Sequence, residues 1–318
     1  MTRSFLSLVF LIASATCLSA QAVSLKPSEN GLLIEIDGKF FTEYQIKGVP
    51  RPFFYPVIGA AGENIVRNFP MKDDVAGEPK DHKHHRGLWF AHGSLNGMDF
   101  WSEEKEFGKQ EHVKFGTIKS EGNKGSFEAE TKWVSPDGKV QMTDSRKVTI
   151  TALPNGEKFL DFDITLKASE GEVVLGDTKE GTMAIRLSPS LCLKGEGAKG
   201  QAFNSGATQG KDIWGKKASW VCYYGPDPKG NPVGVAMFEH PKNFRAPTWW
   251  HARDYGLFAA NPFGQHDFEA LPKDQEKGKG NFNIAKGESL ALRYRFYFAK
   301  GQPQPGDLAE RFKTYSAE

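Results

Sequence analysis

Cysteine is scarce in this chain, with three in 318 residues. Cys17 falls in an apolar leader, which leaves Cys192 and Cys222 to form at most one disulfide. Both lie in strand-like runs, so two buried free thiols satisfy the sequence as well as a bridge does. Long apolar runs are missing too. Past the leader nothing approaches 18 consecutive apolar residues, so no membrane span is expected in the mature chain. An excess of one charge is absent as well: 41 basic against 39 acidic residues give a formal +2, too balanced for a nucleic-acid binder driven by phosphate contacts. There is no G-x-S-x-G elbow, no Walker A sequence and no dinucleotide-binding fingerprint. No long segment has helical periodicity.

What is present describes a folded globular chain, with 39% apolar, 12% aromatic and 25% charged residues. Arg3 precedes an apolar run over residues 5–15, and Ala20-Gln21-Ala22 fits a small-x-small cleavage signal. Residues 1–22 therefore read as a secretory signal peptide, cleaved near Ala22, and residues 23–318 as one mature domain in the periplasm or outside the cell. A lipoprotein anchor on Cys17 is disfavoured, because Ser14-Ala15-Thr16 lacks the leucine expected three places upstream. The leader carries one basic residue and no acid, so its removal leaves a surplus of one positive charge.

The mature chain reads as strands joined by tight turns. Asp37-Gly38 separates runs 32–36 and 39–45, Asp137-Gly138 separates 131–134 from a run starting at Val140, and Asn155-Gly156 separates 146–152 from 158–167. Such pairs supply the positive φ angles that two-residue hairpins need. In 158–167, Leu160, Phe162, Ile164 and Leu166 alternate with Asp161, Asp163 and Thr165. Further strands are expected at 182–187, 219–224, 233–238, 255–260 and 289–298, the last with Arg293 and Arg295 opposite its apolar face. Asp307 is placed to cap a short C-terminal helix with Leu308, Phe312 and Tyr315 inward. Stretches 194–200 and 273–280 look like exposed loops. The economical architecture is one all-β domain, a large antiparallel β-sandwich with a short C-terminal helix.

Chemistry-bearing residues concentrate in three places. Four of the eight histidines, His82, His84, His85 and His92, fall within eleven residues, with Asp81, Arg86, Trp89 and Trp101 around them. If this run is extended, His82, His84 and Arg86 project to one face and His85 to the other. Imidazole and guanidinium groups beside indole rings suit a pocket for a polyhydroxylated ring. A second concentration holds Asn243, Arg245, Trp249, Trp250, His251, Arg253, Tyr255 and Asn261; Trp249 and Trp250 divide between packing and ligand contact, since strand neighbours face opposite ways. The third is Glu180 ahead of a strand bearing Arg186 among apolar neighbours. Glu180 is open to three roles: general base, metal ligand, or ion partner of Arg186.

The runs His84-His85-Arg86-Gly87-Leu88-Trp89-Phe90-Ala91-His92-Gly93, Asn96-Gly97, Asp99-Phe100-Trp101 and Asn261-Pro262-Phe263-Gly264, with Trp249, His251, Arg253, Tyr255 and Gly256, resemble a family of exported bacterial proteins labelled PmoA-like, or methane oxygenase-like. That family has no settled function. A particulate methane monooxygenase subunit crosses the membrane several times, so the label does not imply methane oxidation here. In length and strand content the chain also resembles aldose mutarotase-like sandwiches, and that likeness implies a supersandwich fold with His and Glu groups working on a sugar.

The leading expectation is an exported enzyme acting on a sugar or glycoside by acid–base chemistry. His84 or His85 would be the acid and Glu180 or His251 the base, while Arg86 or Arg186 holds an anionic oxygen. Trp89, Trp101 and Trp249 would stack on the ring, with His92, Asn243, Arg245, Arg253 and Asn261 as further ligand contacts. The second reading is a metal-dependent enzyme, with a divalent metal held by some of His82, His84, His85 and His92, with or without Glu180; this resembles part of the cupin pattern, without its following glutamate, and the sequence fixes no cofactor. A non-catalytic glycan-binding module is the third reading. In each the partner is a small carbohydrate or glycan.

Overall fold

A computed structural model describes residues 22–104, 106–270 and 278–318. The leader up to Gln21, with Cys17, lies outside the described residues, as does most of the loop expected at 273–280. The fold is an all-β sandwich of two large antiparallel sheets. In order of hydrogen-bonded neighbours the nine-stranded sheet runs Val23–Pro27, Gly31–Ile36, Lys39–Gln45, Phe53–Val57, Leu88–His92, Gly181–Arg186, Leu257–Asn261, Thr248–Ala252 and Lys217–Ala218. The eight-stranded sheet runs Gln201–Asn204, Trp220–Pro226, Pro232–Glu239, Ser289–Lys300, Lys158–Lys167, Val140–Ala152, Lys124–Val134 and Lys109–Glu121.

The hairpin turns form where the sequence places them. Asp37 and Gly38 take φ of 54° and 70°, and Asn155 and Gly156 take 64° and 82°, the left-handed values a tight return requires. In Lys158–Lys167 the apolar residues face the core and the alternating acids face outward. Between the sheets Phe54 and Phe90 pack on Phe162, and Tyr223 stacks on Phe258 at 4.7 Å. No helix among the described residues is long and apolar enough to cross a membrane.

The C-terminal helix spans Pro305–Ser316, and its first residues differ from expectation. Gln304 is the N-cap and Pro305 opens the helix, so Asp307 sits inside the first turn, where it favours the positive end of the helix dipole without capping it. Leu308 and Tyr315 are buried as expected, against Phe203, Trp220, Phe238 and Tyr297. The helix covers the outer side of Ser289–Lys300, so Arg295 is buried there and paired with Asp161 and Glu318. Cys192 and Cys222 are both free and buried.

Candidate functional site

The site lies on the outer face of the nine-stranded sheet. Register places Phe53, Trp89, Ala184, Ala259 and His251 in one row across five strands. Directly opposed residues project to the same face. Phe90 and Phe258, one step along their strands, reach the other sheet, so this row faces away from it. Two alanines, Ala184 and Ala259, separate Trp89 from His251 in this row. The turn before Leu88–His92 and the loop before Gly181–Arg186 fold over it, so Trp89 and His251 are nevertheless buried.

The histidine run is a turn, not a strand. His85 N–H donates to the His82 carbonyl at 2.9 Å, and the alternation expected for an extended run is lost. The turn gathers three imidazoles: His85 lies 4.8 Å from His82, nearly parallel, and 4.5 Å from His84, edge-on. Tyr255 stacks on His82 at 5.3 Å, and His85 lies 5.4 Å from Trp89 and 5.9 Å from Trp101. Gly87 makes the exit to the strand practicable. Its φ is 55°, and a Cβ there would sit 2.1 Å from the Phe54 carbonyl oxygen.

Asp81 is the electrostatic centre. Its carboxylate accepts from Arg67, from Arg186 at 3.1 Å and from His82 Nδ1 at 2.8 Å. Both guanidinium groups are almost fully buried, while Asp81 is 40% and His82 41% exposed. The His82 hydrogen bond and the two arginines hold the Asp81 carboxyl well below the usual carboxylate range. Arg186 also donates to His85 Nδ1 at 3.1 Å and lies over the Tyr255 ring. A cleft of about 320 Å³ opens beside this group, lined by Pro79, Asp81, Arg186, Cys192, Glu196 and Tyr255 among others.

The neighbouring imidazoles are held neutral. Burial first, then Arg51 and His82, lowers the His84 pKa to about 3; burial, then His84 and Arg186, holds His85 far below its ordinary value. Burial and Arg253 lower His251 to about 3, and His251 Nδ1–H donates to the Lys179 carbonyl at 2.9 Å. Burial lifts the Glu180 pKa against the pull of Lys179, and Asp99 and His82 also act on this carboxyl. His82, Glu180 and His251 thus share one electrostatic neighbourhood although they come from three segments.

Several expected partners lie elsewhere. Glu180 pairs with Lys179 at 3.4 Å and not with Arg186, whose partner is Asp81. Arg86 is engaged by Glu103 through two hydrogen bonds of 2.8 and 2.6 Å. His92 shares its face with Phe90, so it points to the core side, packed against Phe263, with a pKa lowered by burial to about 4. It cannot join His82, His84 and His85 around one ion. Among the described residues no three His, Cys, Asp or Glu side chains are grouped to hold a metal. Asn243 clamps the backbone of Arg293, Arg245 donates to the carbonyls of Pro262, Gly280 and Asn281, and Asn261 ties Thr178 to Phe263. Trp249 lies under the Lys217 ammonium, Trp250 donates its indole N–H to the Ala218 carbonyl, and Arg253 covers the Tyr255 ring.

Residues the sequence left unremarked complete the site: Arg51, Arg67 and Glu103. An arginine inside an apolar run, as in Ile65-Val66-Arg67, is the same signal that marks Arg186. Together the fold and the site define an antiparallel two-sheet sandwich with a histidine–arginine cluster beside a cleft on one outer face. The chain belongs to a family of unknown function, DUF6807, whose model matches residues 31–313. No curated protein matches the chain.

Proposed function

We propose that this protein is an exported enzyme that acts on a sugar or glycoside by proton transfer. The observation that carries the reading is the Asp81–His82 hydrogen bond at the cleft lined by Asp81, Arg186 and Tyr255, within electrostatic reach of Glu180. A carboxylate on Nδ1 orients the imidazole and leaves Nε2 to face a ligand. Glu180, with its raised pKa, is the second group: a carboxyl nearer neutrality both gives and takes protons more readily than an ordinary one.

This shifts the roles expected from sequence. His84, His85 and His251 are neutral and, with such low pKa values, poor proton carriers at pH 7; they suit fixed hydrogen bonds to hydroxyl oxygens. The test begins with a screen of sugars, keto-sugars and glycosides by calorimetry and product analysis, then Glu180→Gln and His82→Gln on the first substrate found. Each variant should lower kcat at least 100-fold with the fold intact. Full turnover in both would refute the acid–base reading, and binding without any turnover would move the protein to the glycan-binding class.

A further inference from the structure

Beside the Asp81–His82 pair lies a group of buried nitrogens that nothing in the protein satisfies. His84 Nδ1, His85 Nε2, Trp89 Nε1, Trp101 Nε1 and Arg51 Nε are all buried without a hydrogen-bond partner. Their rings are contiguous, with His84–His85 at 4.5 Å, His85–Trp101 at 5.9 Å and Trp89–Trp101 at 5.2 Å. Isolated unpaired groups occur in folded proteins, but more than about 90% of buried polar atoms are paired, so a cluster calls for an occupant.

The chemistry of the set says what kind. Indole and guanidinium N–H groups only donate. Arg186 donates to His85 Nδ1, so the neutral ring carries its proton on Nε2 and this nitrogen donates as well. Four donors therefore meet a single nitrogen, His84 Nδ1, whose role is open. A water there could accept from two donors at most, which leaves the others unpaired, and it brings no charge of its own. Few acids are bonded to the arginines around this group: Arg51 and Arg86 share Glu103, and Arg67 and Arg186 share Asp81, while Asp99 and Glu78 act on them only through space.

We propose that the unpaired nitrogens of His84, His85, Trp89 and Trp101 form a subsite for a carboxylate oxygen, so that the ligand of the adjoining cleft is an acidic sugar. The subsite extends the proposed function by naming the ligand class, and it rests on that reading only for the sugar ring. Carboxylate capture itself is testable alone.

The experiment follows tryptophan fluorescence while the mature protein is titrated, at constant ionic strength, with formate, D-glucuronate or D-glucose. A saturable signal is expected for formate. Glucuronate should bind at least 10-fold more tightly than glucose, and Trp89→Phe with Trp101→Phe, which keeps both ring volumes, should weaken formate and glucuronate at least 10-fold. Formate binding that is lost in this variant, with neither sugar bound, keeps the subsite and removes the sugar reading. Equal binding of glucose and glucuronate without any formate signal keeps the sugar reading and overturns the subsite. No saturable signal overturns it too. Because the double variant could fail to fold, a bromide soak of crystals of the unaltered protein gives a second reading: an anomalous peak within hydrogen-bonding reach of at least two of these nitrogens is expected, and no peak there overturns the proposal.

Discussion

Replacing Asp81 by Asn keeps the size of the side chain and removes its charge, so it isolates the electrostatic role of the residue. The wild-type carboxylate compensates two guanidinium groups that are each 1% exposed. Breaking a fully buried ion pair costs about 3–5 kcal/mol, because the surviving charge stays desolvated. Asp81 is 40% exposed, and solvent screens part of the interaction, which brings the expectation to about 2–3 kcal/mol. At roughly 2–4 °C per kcal/mol for a domain somewhat smaller than this, Tm should fall by about 4–12 °C. Urea unfolding should show a lower midpoint at unchanged slope. The folded pKa of Asp81 lies below its unfolded value, so its contribution is complete above about pH 4 and fades as pH falls further. The stability gap between wild type and Asp81→Asn should therefore close in acid. In an Arg186→Met background the same substitution should cost less, since one of the two charges it strands is gone. A gap below about 0.5 kcal/mol at pH 7, or one that persists unchanged to pH 2, would refute the reasoning.

Three further outcomes are expected. Gly87→Ala should destabilise the fold by more than about 3 kcal/mol or prevent soluble expression, because the new Cβ meets a backbone oxygen at 2.1 Å; a urea midpoint equal to the parent's would contradict the turn. Burial lifts the Glu239 pKa to about 8, so the folded state holds a proton that the unfolded state releases near pH 4.5. Stability should then drop by up to about 1.4 kcal/mol per pH unit from pH 5 to 8, and Glu239→Gln should flatten that slope in urea titrations. The protein lacking residues 1–22 should show two thiols to Ellman's reagent in urea without reductant and react only slowly when folded, since burial lifts the Cys192 pKa to about 11 and Cys222 higher still. Absence of thiols in urea would mean a disulfide.

Strands with one wet face could be read in advance from their alternation, and Gly181–Arg186, Pro232–Glu239 and Leu257–Asn261, buried throughout or nearly so, from their short apolar runs. Lys158–Lys167 and the first half of Ser289–Lys300 alternate because one side meets water and the other the core. Phe53–Val57, Leu88–His92 and Thr248–Ala252 are buried on both faces or nearly so, and their alternation vanishes with the water that would have imposed it. The histidine cluster announced itself by composition, but its shape did not. Whether residues 82–86 run extended or turn depends on Gly87 meeting the Phe54 carbonyl, a contact between distant segments. The choice of Asp81 over Glu180 as partner of Arg186 likewise spans 105 residues, and no local pattern encodes it. Asn243, Arg245 and Asn261 have polar side chains whose work is to hold loop and strand backbone, a duty indistinguishable in sequence from binding a ligand.

The arginines explain why most histidines of the site are held neutral and why the proposed function leaves proton transfer to few groups. Desolvation and a nearby guanidinium both disfavour imidazolium, and at His84 and His85 the two effects act together. A neutral ring offers one donor and one acceptor in fixed directions, and the Arg186 bond to His85 Nδ1 selects which nitrogen donates. Under the proposed function such rings hold a ligand, and proton exchange falls to the groups with access to water, His82 and Glu180, at 41% and 35% exposure. On this reading His85→Gln should impair ligand affinity more than turnover and His82→Gln the reverse, because the first removes a directed hydrogen bond and the second a proton carrier.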